Sequence, residues 1–230
     1  MLFDTRYLIF MLPAMLLMML AQGYVTSAYR KWSQVAARSR LTGAQAAQRI
    51  ISNSGLYDVR VEGIRGHLTD HYDPRTKVLR LSQGVYDTPS VAALAITAHE
   101  LGHALQDHEG YFPLRLRSLL VPAVNIGSYL GWILIIAGLL LRLTDLAWVG
   151  VLVFSGGALF ALATLPVELN ASARARQLLS NTGLIVDSDE QRGVNKVLNA
   201  AALTYVAGLI TAILQLLYYV SLVAGINRRR

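Results

Sequence analysis

Residues 91–106 read VAALAITAHELGHALQ, and their apolar spacing predicts a helix. Thr88-Pro89 just ahead supply an N-cap and a first-turn proline, whose missing N–H costs nothing there. On such a helix, taken over residues 89–107, His99 and His103 stand at i and i+4 on one face, so both imidazoles can point at one metal ion. Glu100, one residue on, lies beside that ion as a general base rather than as a ligand. The chain has no cysteine, so any metal site is built from His, Asp and Glu. Nitrogen and carboxylate donors without sulfur suit Zn2+ in a tetrahedral site with one open position. The plain alternative is a core helix with two hydrogen-bonded histidines. It would leave three ionisable groups within five residues among Ala and Ile without compensation, which is costly.

A catalytic zinc needs a third protein ligand. His67 and His71 fall in a predicted hairpin, and His108 stands about 140° round the helix from His103. Glu168, in LPVELNAS (residues 165–172), is the better candidate, because a glutamate at the end of an apolar span is expensive unless paired or metal-bound. Pairing with Arg174 or Arg176 is its structural alternative.

Around this core the chain alternates between membrane-like and soluble composition. Hydrophobic residues make up 54% and charged residues 15%, against the roughly 25% charged of an ordinary soluble domain. The first apolar run, about 7–29, is long enough to span a bilayer and reads as a retained helix ending in the basic cluster Arg30, Lys31, Arg38 and Arg40. Further apolar runs cover about 119–141, 146–167 and 202–225. The division predicted is a transmembrane helix (1–29), a soluble part (30–115), a transmembrane hairpin (116–167), a surface helical segment with the third ligand (168–198), and a fourth transmembrane helix with a basic tail (199–230). Within the soluble part a helix is expected at 42–52, a strand at 58–64, and a hairpin of 67–72 and 77–82 around Asp73-Pro74-Arg75-Thr76. The net charge of +7 comes from dispersed basic residues beside apolar runs, a pattern that fits the lipid bilayer as partner and not nucleic acid.

Four runs, LTDHYDPRT (68–76), AHELGHALQ (98–106), GYFPL (110–114) and LPVELNAS (165–172), resemble in order and spacing the bacterial membrane-bound neutral zinc metallopeptidase family, the YugP-like proteins. More distantly the chain resembles the heat-shock membrane metallopeptidases with a gluzincin core. The resemblance implies a mainly α fold with a small β-hairpin or sheet: a four-helix transmembrane bundle plus a gluzincin-like zinc metallopeptidase domain. It also implies Glu168 as third ligand. In the heat-shock group an aspartate four residues after that glutamate orients a ligand histidine; here the position is Ser172, so Ser172 or Asn170 takes that role.

The expected activity is zinc-dependent endoproteolysis of membrane or membrane-proximal proteins at the membrane surface. Glu100 moves the proton, and a protein or peptide substrate lies along an edge strand, for which Lys77–Ser82 is the candidate. Tyr205, Arg174 and His108 are open candidates for stabilising the oxyanion. Two rivals stand beside this reading: an intramembrane-cleaving zinc protease and a non-catalytic zinc-binding scaffold. The expected location is the cell membrane, multi-pass. The side that holds the soluble part and the third-ligand segment, residues 30–118 and 168–201 between the apolar runs, carries 16 of the 21 Lys and Arg, which places the active site in the cytoplasm. Arg228-Arg229-Arg230 argue the other way, and oligomeric state and substrate identity are not written in these residues.

Overall fold

Alternation of helix-forming apolar runs with short turn signals gives a mainly helical chain with one small sheet. The computed structural model describes residues 5–227; the Arg228-Arg229-Arg230 argument for orientation falls outside them. In chain order the elements are α1 (Thr5–Ser33), α2 (Gly43–Ser54), β1 (Arg60–Ile64), β2 (His71–Asp73), β3 (Val78–Ser82), α3 (Gln83–Tyr86), α4 (Val91–His108), α5 (Phe112–Leu140), α6 (Thr144–Phe154), α7 (Gly156–Asn181) and α8 (Ser188–Asn227).

The chain forms two compact units. One comprises Gln22–Leu114 and Val167–Leu203, the other Met1–Ala21, Arg115–Pro166 and Thr204–Arg230. In the first, α2 begins at a capping box: the Thr42 hydroxyl accepts from Gln45 N–H while the Gln45 side chain accepts from Thr42 N–H. Such a cap stabilises by about 1 kcal/mol. The helix ends at Gly55, whose φ of 70° is the left-handed C-cap that glycine adopts without strain.

The expected hairpin forms, with Tyr72 opposite Leu79 and Asp73 opposite Val78. The Asp73 carboxylate closes its turn by accepting from Arg75 N–H and the Thr76 hydroxyl. The pairing of β1 was not expected: it lies parallel to β3, so the sheet order is β1-β3-β2. Val78, Leu79, Leu81 and Ser82 are accordingly buried, and β3 is the central strand. That corrects the assignment of Lys77–Ser82 as the edge along which a peptide could add, because both flanks of β3 are already paired; β2 and β1 are the edges.

A second correction concerns the start of α4. Its N-cap is Ser90, whose hydroxyl accepts from Ala93 N–H, and not Thr88. The backbone on either side of Ser90 is already bonded elsewhere: Ala37 N–H donates to the Pro89 carbonyl and Val91 N–H to that of Val35. This holds 88–90 extended. From Val91 the helix is buried nearly all round, with Leu94, Ala95, Ala98, Leu101 and Ala104 in one core with Ile50, Leu79, Leu179 and Leu198.

In the second unit, Ile135, Ala147, Val151, Tyr218, Tyr219 and Val223 form a smaller buried cluster, with Tyr7, Phe10 and Met11 packed on it. Among the described residues four helical stretches are long and apolar enough to cross a membrane: Thr5–Ser33, Phe112–Leu140, Thr144–Asn181 and Ser188–Gly225. The segment 168–198 is largely helical, as expected. Its residues continue α7 as far as Asn181 and begin α8 at Ser188.

Candidate metal centre

The site lies where α4 meets the Val167–Asn181 part of α7. Contact is backbone to backbone: a Cβ added at Gly102 would lie 2.6 Å from the Ala171 carbonyl oxygen. The glycine between the two histidines is therefore what lets Glu168 reach them. Glu168 Oε2 stands 3.3 Å from His99 Nε2 and 3.4 Å from His103 Nε2, and one donor atom from each residue lies within 4.8 Å of the others. Donors bound tetrahedrally at 2.0–2.1 Å to one zinc ion stand roughly 3.3–3.4 Å apart, and both distances from Glu168 to the imidazoles match that spacing. Glu168 is 1% exposed, a depth at which an unpaired carboxylate is untenable. No other grouping of three His, Asp or Glu side chains among the described residues is so arranged.

Each imidazole is held from behind. The Ser172 hydroxyl is 3.3 Å from His99 Nδ1, the contact expected of Ser172. For His103 the partner is Gln106 Oε1, 3.0 Å from Nδ1, while Asn170 bonds Gln106 instead of a histidine. Sequence reading missed Gln106, although its i+3 spacing from His103 places it on the same helix face.

Glu100 approaches the site from the sheet side, where its Oε2 accepts from the Tyr72 N–H at 3.0 Å. Burial, the largest influence, pushes the Glu100 carboxyl above its ordinary range, and the nearby His99 and His103 only partly offset it. A raised pKa suits a carboxylate that must take a proton and return it. Burial opposes the charge of His103, yet its hydrogen bond to Glu168 and the charges of Glu100 and Glu168 outweigh this and raise its pKa.

A polar clamp fixes the edge strand over α4. Asp107 Oδ2 accepts from the Tyr72 hydroxyl at 2.9 Å and from Lys77 Nζ at 2.5 Å. Lys77 has φ of 53°, a left-handed conformation normally left to Gly or Asn. No spacing rule joins Lys77 to Asp107, so this clamp carried no sequence signal.

The remaining candidates are not gathered here. His67 packs edge-on against Tyr29, His71 Nδ1 lies 2.8 Å from the Thr69 carbonyl, and His108 ends α4. Arg174 is engaged by Asn170 and Glu109, and Arg176 by Asn195 and Asn199.

A family model described as "Putative neutral zinc metallopeptidase" matches residues 7–224. The chain is 48% identical over 200 residues to the "Putative membrane protease YugP" of Bacillus subtilis (strain 168), an alignment covering 87% of this chain and 88% of that protein. No solved structure matches it. With nearly its whole length matched, the chain belongs to the family described as "Putative neutral zinc metallopeptidase".

Proposed function

We propose that this protein is a zinc-dependent membrane endopeptidase of the HExxH…E gluzincin type, cutting membrane or membrane-proximal proteins at the bilayer surface. The observation that carries it is the closeness of His99 Nε2, His103 Nε2 and Glu168 Oε2, with the raised-pKa Glu100 one residue from the first of them. His99, His103 and Glu168 would hold the ion, which when bound supplies a Lewis acid and lowers the pKa of water toward neutrality. The Glu100 carboxylate accepts the proton of the attacking water and delivers it to the leaving amine nitrogen. The peptide lies extended along β2, the edge strand whose Tyr72 N–H meets Glu100.

Surface cleavage is favoured over cleavage inside the bilayer because α4 packs under a sheet and is not one of the four membrane-length stretches. A multi-pass chain divided as predicted from its sequence, with the active site in the cytoplasm, accords with the 16 Lys and Arg of residues 30–118 and 168–201.

The test is zinc content and casein cleavage by the detergent-solubilised protein, beside Glu168→Ala and Glu100→Gln. Stoichiometric zinc in wild type and Glu100→Gln but not in Glu168→Ala, with casein cut by wild type alone, is the expected result. Zinc retained at full affinity by Glu168→Ala would remove the third ligand. Equal cleavage by Glu100→Gln would remove the base.

A further inference from the structure

Gln106 is fully buried, yet both polar atoms of its amide are used, and its orientation can be read from groups with no ambiguity. Arg174 carries only donors. Its Nε donates to Asn170 Oδ1 at 2.7 Å, and its terminal nitrogen donates to Glu109 Oε2 at 2.7 Å, with the guanidinium over the Tyr111 ring. Asn170 thus presents its oxygen. That oxygen and the Val167 carbonyl accept from Gln106 Nε2 at 2.9 and 2.8 Å. The Gln106 nitrogen therefore faces α7, and its oxygen faces His103 Nδ1 at 3.0 Å. A neutral His103 that keeps its lone pair on Nε2, the atom facing Glu168, must carry its proton on Nδ1, where the Gln106 oxygen accepts it; the opposing acceptor is Glu168 itself. Val167 and Asn170 bracket Glu168 in the chain, so the same amide that fixes the tautomer of His103 also ties down the turn bearing Glu168.

We propose that Gln106 is the positioning residue of this centre, a neutral amide that sets His103 with Nε2 outward and locks the Glu168 turn to α4. The proposal rests on the zinc reading above. The chemistry explains the residue type. A carboxylate here could accept from His103 but could not donate to the Val167 carbonyl, and it would add a negative charge beside Glu100 and Glu168.

The experiment compares the full-length wild type with Gln106→Met and Gln106→Glu in detergent. Zinc affinity is read by chelator competition, and the His103 tautomer by nitrogen NMR of the metal-free proteins in a Glu168→Ala background, where no carboxylate competes for the Nε2 proton, at a pH where the ring is neutral. Gln106→Met is expected to lose roughly ten- to a hundredfold in zinc affinity and to release His103 into mixed tautomers. Gln106→Glu keeps an acceptor for Nδ1 but loses both donations to α7, so it should hold the wild-type tautomer and recover only part of the affinity. A Gln106→Met protein that melts earlier but keeps affinity and tautomer would reduce Gln106 to packing and overturn the proposal. So would mixed tautomers in Gln106→Glu, a result that remains decisive if Gln106→Met does not fold. A wild type that binds no zinc sinks the metal reading alone, since the tautomer comparison then decides the role of Gln106 by itself.

Discussion

A Cβ added at Gly102 would lie 2.6 Å from the Ala171 carbonyl oxygen, and one added at Gly138 would lie 2.5 Å from Ala147 N. The two contacts are alike in distance and differ in what surrounds them. Around Gly102, α4 and α7 share a large core that includes Leu94, Leu101, Leu178 and Leu179, so apolar burial already drives them together. The glycine there sets a distance, the one at which Glu168 meets two imidazoles. Around Gly138, α5 and α6 turn Leu119, Ile126, Ile133 and Leu152 outward, and their own buried contact is small. Between apolar spans in lipid no hydrophobic drive acts, and close packing is itself the source of association. Gly131 and Gly150 extend that contact, each lying where a Cβ would strike the facing backbone within 3 Å.

Gly102→Ala is the strongest way to break the comparison. Overpacking here costs about 1–3 kcal/mol, and relief by separating α4 from α7 moves Glu168 away from His99 and His103. We expect zinc to be lost, and proteolysis per folded molecule to fall on the order of a hundredfold, as misplacement by about 1 Å does elsewhere. Zinc titration and casein cleavage on the same preparation check it. Normal activity in folded Gly102→Ala would mean that the close approach does not set the site.

Gly138→Ala should be as unfavourable to packing, again about 1–3 kcal/mol, but should show only as a lower melting temperature in detergent. The zinc content of the folded fraction is expected to stay stoichiometric. If zinc falls with it, the two glycines do the same job and the contrast between them collapses.

The parts of this arrangement that were legible from sequence are those written in local spacing. His99, Glu100 and His103 share one helical turn, the Thr42–Gln45 box is a three-residue motif, and the Asp73–Thr76 turn declares itself by residue type. Glu168 was legible because a carboxylate at the end of an apolar run needs a reason, and the family resemblance narrowed its orienting partner to Ser172 or Asn170 without choosing between them. What was not legible depends on partners distant in sequence. Nothing in β1 announces that it pairs parallel with β3, so the central strand was mistaken for an edge. Ser90 as N-cap could be recognised only once Val35 and Ala37 were known to claim the backbone at 89–91. Gly102 reads locally as a helix weakness; its purpose appears only beside Ala171.

On the other face of α4 the spacing is set by polar contacts, which sharpens the contrast with glycine packing. Tyr72→Phe removes one hydrogen bond to Asp107 and should cost roughly 1 kcal/mol. Burial, then the Asp107 bond, holds the Tyr72 phenol well above its usual range, so the loss should not vary between pH 6 and 9. Because β2 is also the edge proposed to hold the peptide, the variant is expected to raise KM more than it lowers kcat, with zinc unchanged. A fall in kcat at constant KM would place Tyr72 in the chemistry and not in the clamp.

The weakest hold is at the hairpin tip. The Thr76 hydroxyl, the Arg75 N–H and the Arg80 guanidinium together keep the Asp73 carboxyl well below the usual carboxylate range. A folded pKa below the unfolded one gives stability that is complete above the unfolded value, about 4, and is lost as pH falls through the folded value. Asp73→Asn should therefore melt slightly below wild type at pH 6, and the gap should close on acidification through pH 4 toward pH 2. The gap is small because the group is only half-buried and solvent still screens it. Melting temperatures of the two proteins across that range test the sign. A gap independent of pH would assign the effect to the shape of the turn, leaving the charge of Asp73 no part in holding β2 against β3.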